Sequence, residues 1–291
     1  MRITTLLTVL ALASAACTPT VVLSDRSLLA PRADTPAEAA ALDSTIRVAG
    51  ARGFTVPAAD GAQLFGVVLR HPRPAATVLY FGGNNFRISQ TGRYAATYLL
   101  PVGVNVVMVD YRGYGRSTGT LATVAQLEAD ALQVYDRVRA MPELAGVPLI
   151  VHGQSLGSFV AGHVATQRPV AGLVLEASAT TAHDWVEASM RGRSVPPGTR
   201  VRVSESLARS GNLERVRRIR LPLMVLVGAD DPVTPPALSE RLFAESATPA
   251  ALKRLHVVAG AGHNDVPVRP AFRTAYAEFL GIVGSAAARP Q

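Results

Sequence analysis

The sequence predicts an α/β fold: a mostly parallel, doubly wound sheet with a leading antiparallel hairpin and one small lid-like insert. Three observations predict it. First, six compact apolar runs recur: Thr77–Phe81, Asn105–Asp110, Pro148–Gly153, Gly172–Glu176, Pro222–Gly228 and Leu255–Val258. They are β-branched-rich and apolar on both faces, as buried parallel strands read. Second, segments of helical spacing separate them, and strand–helix alternation implies right-handed crossovers with helices on both faces. Third, FTVPAADGAQLFGVVL carries an Asp60-Gly61 turn between two strand-like pieces, which reads as a hairpin.

The elements follow in chain order. Residues 1–17 combine Arg2, an apolar run from Leu6 to Leu12 and then small residues. This is an export-signal pattern, too short to span a membrane. Cys17, the only cysteine, ends the small-residue region and resembles the cysteine of the bacterial lipobox. Ser14 departs from that pattern, which usually has leucine there. The resemblance implies an acylated N-terminal cysteine that attaches an exported, cell-envelope protein to a membrane. The competing expectation is ordinary cleavage near Ala15 or Ala16, giving a periplasmic or secreted protein. No other cysteine is left for a disulfide, so the fold rests on its core.

Residues 18–50 are rich in Ala, Pro and charge and read as a tether with one short helix around Pro36–Leu42. The domain is expected over residues 51–284, with a tail at 285–291. Thr123 and Gln126 form a capping-box pattern, and Val124, Leu127, Ala131, Val134 and Val138 follow at helical spacing. Phe272, Tyr276 and Phe279 mark one face of a last helix. Residues 177–221 form the insert and carry Trp185, Met190 and nine arginines. A connection this long on the carboxyl-end side of a parallel sheet reads as a lid.

At 291 residues and 48% hydrophobic content, the chain suits one large domain. The formal charge is +8, nearly all arginine, because Lys253 is the only lysine. The arginines are dispersed and no nucleic-acid motif accompanies them, so a solvated surface is expected rather than a nucleic-acid partner.

The chemistry centres on VHGQSLGSFV, Val151–Val160. The apolar run to Gly153 is a strand and Leu156–Gln167 a helix, so Ser155 falls at a strand-to-helix corner. Gly153 and Gly157 remove Cβ atoms that would clash in so tight a turn. A serine hydroxyl needs a base. Of six histidines, His152 and His256 lie in strand runs, His163 in the following helix, His71 at a hairpin edge and His183 in the insert. His263, in the glycine-rich AGAGHND loop after a strand, is the expected base. An acid must orient it. Asp230 and Asp231 both fall at a strand's carboxyl end, with Asp265 and Asp110 weaker choices. Two backbone N–H groups are expected to hold a developing oxyanion: Leu156, after the serine, and Asn84, in LYFGGNNFR.

Together these residues resemble the α/β-hydrolase superfamily, and more closely its small-lid, serine aminopeptidase-like and α/β-hydrolase domain-containing members. VDYRGYGRSTGT (Val109–Thr120) and GNLERVRRIRLPLMVLVGADDPVTP are similar to segments of that group. The resemblance spans Phe54–Ile282. It implies the α/β-hydrolase fold, and it places the acid third after Gly228, which selects Asp231. The group often has His-Gly-Asn where this chain has Gly82-Gly83-Asn84. The expected activity is that of a serine hydrolase cleaving an ester or thioester through an acyl-enzyme, with a small-molecule or acyl substrate, no cofactor and no metal. Short-chain esters lead; a peptidase of the same fold and a non-catalytic lipid-anchored binding protein are the alternatives.

Overall fold

The computed structural model describes residues 20–191 and 198–287. The expected signal, Cys17 and residues 288–291 lie outside them. The chain opens with β1 (Thr20–Leu23), α1 (Asp25–Leu28) and α2 (Pro36–Val48). The hairpin is β2 (Arg52–Pro57) and β3 (Gln63–Leu69), and Gly61 in its turn has φ +88°. Then come β4 (Ala76–Phe81), α3 (Arg93–Leu99), β5 (Val104–Val109), α4 (Val124–Arg139), β6 (Leu149–Gln154), α5 (Leu156–Gln167) and β7 (Gly172–Glu176). The insert folds as α6 (Ala182–Met190), β8 (Arg200–Val203), α7 (Glu205–Arg209) and α8 (Leu213–Val216). The chain closes with β9 (Leu223–Gly228), α9 (Pro236–Glu245), β10 (Lys253–Val258) and α10 (Pro270–Ala287).

Eight strands form the main sheet, in the order β10-β9-β7-β6-β4-β5-β3-β2. The strands from β5 to β10 run parallel, and β3 pairs antiparallel with β5. All six predicted runs are parallel strands. Their two faces feed two cores. On β7, Leu173 and Leu175 pack with Val134 of α4 and Val160 of α5, while Val174 packs with Phe272, Tyr276 and Phe279 of α10. This two-sided burial is why the runs show no alternation. At the start of α4, Thr123 caps Gln126 N–H, but the Gln126 side chain accepts from Ala122 instead, so the capping box is half formed.

The segment expected as a tether is part of the domain. β1 pairs in parallel with β8 of the insert. Leu29 and Leu42 are buried, and α2 runs on to Val48 behind a complete Thr35/Glu38 capping box. The buried Asp25 accepts from Val124 N–H at 2.8 Å and from the hydroxyls of Ser204 and Ser206. Asp34 and Glu38 hold the guanidinium of Arg87. The charge that read as solvation is thus spent on long-range pairs. At the other end, residues 285–287 continue α10 rather than forming a tail. Among the described residues no helix is long and apolar enough to cross a membrane.

Candidate active site

Ser155 stands alone between β6 and α5, with φ +52° and ψ −119°. A side chain in that left-handed region stores on the order of 1–3 kcal/mol of strain. Neighbouring backbone holds it there. A Cβ on Gly153 would meet the carbonyl oxygen of Gly157 at 2.1 Å, and one on Gly157 would meet that of Phe81 at 2.0 Å. Both glycines are therefore required by close approach. Ser155 N–H donates to the Glu176 carbonyl at 2.9 Å, tying the corner to β7.

The loop after β10 brings His263 over this corner. Its Nε2 lies 3.0 Å from Ser155 Oγ, and its Nδ1 lies 2.8 Å from Asp231 Oδ2. Asp231 is buried and also accepts from Val233 N–H, Thr234 N–H and the Thr234 hydroxyl, at 2.8, 2.9 and 2.7 Å. Burial alone would raise this carboxyl, but the His263 hydrogen bond and the Thr234 N–H outweigh it and hold it below the usual range. The rival acids are elsewhere. Asp230 is exposed, Asp265 serves Gly262 N–H and Arg269, and Asp110 accepts from Ile88 and Arg116 N–H. Ser155, His263 and Asp231 form one continuous chain of hydrogen bonds.

The two expected donor residues, Leu156 and Asn84, line the same cavity as the serine. Leu156 is the first residue of α5, so its N–H has no carbonyl one turn back within the helix. A Cβ on Gly83 would come within 3.5 Å of Ser155 Cβ, so the backbone at Gly83 passes close to the serine. The Asn84 side chain turns the other way. Its Nδ2 donates to Leu28 O, and its Oδ1 accepts from Ala30 N–H at 3.2 Å and the Tyr114 hydroxyl at 2.9 Å. It clamps this loop to the N-terminal segment.

A cavity of about 780 Å³ opens at Ser155 and His263. Its walls are mostly apolar, with Phe86 and Phe159 among them. The insert contributes Ala177, Ala179 and Trp185, and Trp185 Nε1 donates to Val233 O at 2.9 Å across the rim. Leu28 also lines it, a residue that sequence reasoning assigned to a tether.

A second missed feature lies on the sheet face beneath. His152 is buried, as expected of a core histidine, with Nε2 2.9 Å from Glu176 Oε2 and Nδ1 2.8 Å from the Tyr276 hydroxyl. Burial pushes the Tyr276 phenol well above its ordinary value, so it stays protonated. The hydroxyl can then donate to Nδ1 while Nε2–H donates to Glu176. The signal was present in the sequence: Glu176 is a charge at the end of an otherwise apolar strand.

The chain is similar to known proteins in sequence and in fold. Residues 72–201 match the family model described as serine aminopeptidase, S33. An uncharacterized Mycobacterium tuberculosis protein is 33% identical over 224 residues, covering 76% of this chain and 75% of that one. Bem46 of Schizosaccharomyces pombe is 26% identical over 72% of this chain and 68% of its own length. The chain belongs to the α/β-hydrolase superfamily. Other similar α/β-hydrolases include lysophosphatidylserine lipase ABHD12 of Macaca fascicularis, 30% identical over 71% of this chain and 56% of that protein. By fold, the Pyrococcus furiosus esterase Pf2001 matches with TM-score 0.64 at 18% identity, covering 87% of this chain and 97% of that one. Proline iminopeptidase of Mycobacterium smegmatis matches with TM-score 0.64 at 18% identity, over 81% and 100%. The protein is a hydrolase of this superfamily.

Proposed function

We propose that this α/β-hydrolase is a serine hydrolase that cleaves a carboxylic ester or thioester through an acyl-enzyme. The observation that carries the reading is the unbroken chain from Ser155 Oγ through both ring nitrogens of His263 to Asp231. Ser155 Oγ attacks the carbonyl carbon as its proton passes to His263 Nε2. The carbonyl oxygen becomes an oxyanion held by the N–H groups of Leu156 and Asn84. Each such donor contributes roughly 3 kcal/mol to the transition state. His263 returns the proton to the leaving alkoxide or thiolate as the C–O or C–S bond breaks. Water then attacks the acyl-enzyme, again giving its proton to His263, and Ser155 is restored. Asp231 holds the ring with Nδ1–H toward itself and stabilises the imidazolium.

The apolar walls support an acyl group on the substrate, with short-chain esters the leading class. A peptidase reading has one supporting observation, the match to the serine aminopeptidase model. Comparing kcat/KM across acyl lengths and aminoacyl amides separates the two. The decisive experiment is turnover of a p-nitrophenyl ester, with labelling by a fluorophosphonate probe. Ser155→Ala should abolish both; a variant that retains both overturns the reading, and an unlabelled wild type points to a binding protein.

We also propose that Cys17 is acylated and holds the protein at a membrane of the cell envelope. If the mature wild-type protein incorporates no labelled fatty acid and Cys17→Ser is processed like it, that anchoring is wrong.

A further inference from the structure

Several exposed apolar side chains belong to the cavity's lining or to the elements that lead into it. Of the six large ones exposed among the described residues, Tyr94 and Val233 line the cavity, and Val268 follows the cavity-lining Pro267. Val21 and Val22 are on β1, and Val22 is the most exposed of all, at 63%. Only Val257, on the edge strand β10, lies apart from this group.

The β1–β8 ribbon has two unlike faces. Its register pairs Thr20 with Arg200 and Val22 with Arg202, so these four side chains share a face. That face is exposed throughout. Leu23 and Val203, on the opposite face, pack against the core. Arg200 and Arg202 make no ion pair among the described residues, and neither do the exposed Arg26 and Arg191 at the ends of α1 and α6. Of the nearby acids, Asp25 is buried and bonded, Glu205 is taken by Arg209, Asp184 by Arg241, and Glu187 sits beside His183. The ribbon also touches the cavity's own walls. β1 leads into α1 and cavity-lining Leu28, and β8 packs on α6, which carries Trp185.

We propose that this rim is a docking face for a bilayer with anionic headgroups, acting independently of any acyl chain on Cys17. Val22 enters the headgroup boundary, and Arg26, Arg191, Arg200 and Arg202 meet the lipid phosphates. Uncharged apolar rims bind without regard to headgroup. Arginines flanking an exposed valine make the attachment depend on anionic lipid. A docked rim opens the cavity toward the bilayer, where acyl compounds partition.

Vesicle sedimentation tests this, using full-length protein with Cys17→Ser in every arm so that no acyl chain contributes. Vesicles are phosphatidylcholine with or without phosphatidylglycerol. The parent should bind the anionic vesicles more tightly, and added salt should weaken it. Each arginine at an anionic surface is worth roughly fivefold in partitioning, so Arg200→Gln with Arg202→Gln should cost about 25-fold on anionic vesicles only. Arg200→Lys with Arg202→Lys should restore binding, because charge rather than fork geometry is used. Turnover of a water-soluble ester should be the same in all variants. The proposal is overturned if the glutamine variant binds like the parent, if the lysine variant loses as much, or if binding and soluble turnover fall together.

Discussion

Two histidine–carboxylate pairs lie close together in this molecule and differ in what surrounds them. His263 and Asp231 are 2.8 Å apart, and His152 and Glu176 are 2.9 Å apart. By distance they are the same interaction. His263, however, turns its second nitrogen to Ser155 at the mouth of a cavity, whereas His152 turns its own to the buried phenol of Tyr276. One pair ends on a hydroxyl that a substrate can reach, the other on a hydroxyl sealed inside α10. Pair geometry alone therefore does not make a proton relay; the far end of the imidazole decides.

The comparison can be broken most severely at Asp231. Asp231→Asn leaves the shape but allows the wrong His263 tautomer, and ester kcat should fall about 10³–10⁴-fold with KM little changed, as steady-state kinetics would read. If Glu176→Gln lowers kcat as much, the distinction between the pairs is false. The buried pair should instead speak through stability. Glu176→Ala leaves the buried Nε2–H without its acceptor and should cost about 1–3 kcal/mol in urea unfolding, while the folded fraction keeps most of its turnover. Replacing His152 and Tyr276 with Phe in the same chain, together with Glu176→Leu, should recover much of that loss, because removing every partner of the network is far cheaper than removing one. A smaller effect is expected at Asn84→Ala, which frees the loop from Leu28, Ala30 and Tyr114; stability should drop by about 1–3 kcal/mol, with kcat falling more than KM rises.

The gentlest probe is pH. The Asp231 carboxyl is held below its usual value in the folded chain. Its contribution is therefore fully present above about pH 4 and is lost as pH falls through the lowered folded value. Unfolding curves of wild type and Asp231→Asn should converge below that point. A gap that stays constant to pH 2 would contradict this assignment.

The parts of this picture legible in the sequence are those fixed by local pattern. Buried parallel strands must be apolar on both faces, so β4, β5, β6, β7, β9 and β10 announce themselves. The corner at Ser155 needs glycine on both sides for reasons of backbone approach, and that survives in five letters. Choosing Asp231 over its neighbour Asp230 required a resemblance, because two adjacent carboxylates look alike until one is buried. The N-terminal segment was misread for a different reason. Asp25 and Asp34 look like solvated charge, and their partners lie roughly 50 to 180 positions away. Polar contacts at such separations leave no periodicity. Glu176 was passed over because a strand end is a common place for a charge; only Tyr276, a hundred residues later, reveals its purpose.

The dihedral of Ser155 carries one more consequence. A chain selected only for heat resistance would profit from glycine at that position, since glycine occupies φ +52° without penalty. Ser155→Gly should melt later than the parent and do nothing. On the proposed mechanism, the strain at this corner is a running cost to the fold that turnover offsets.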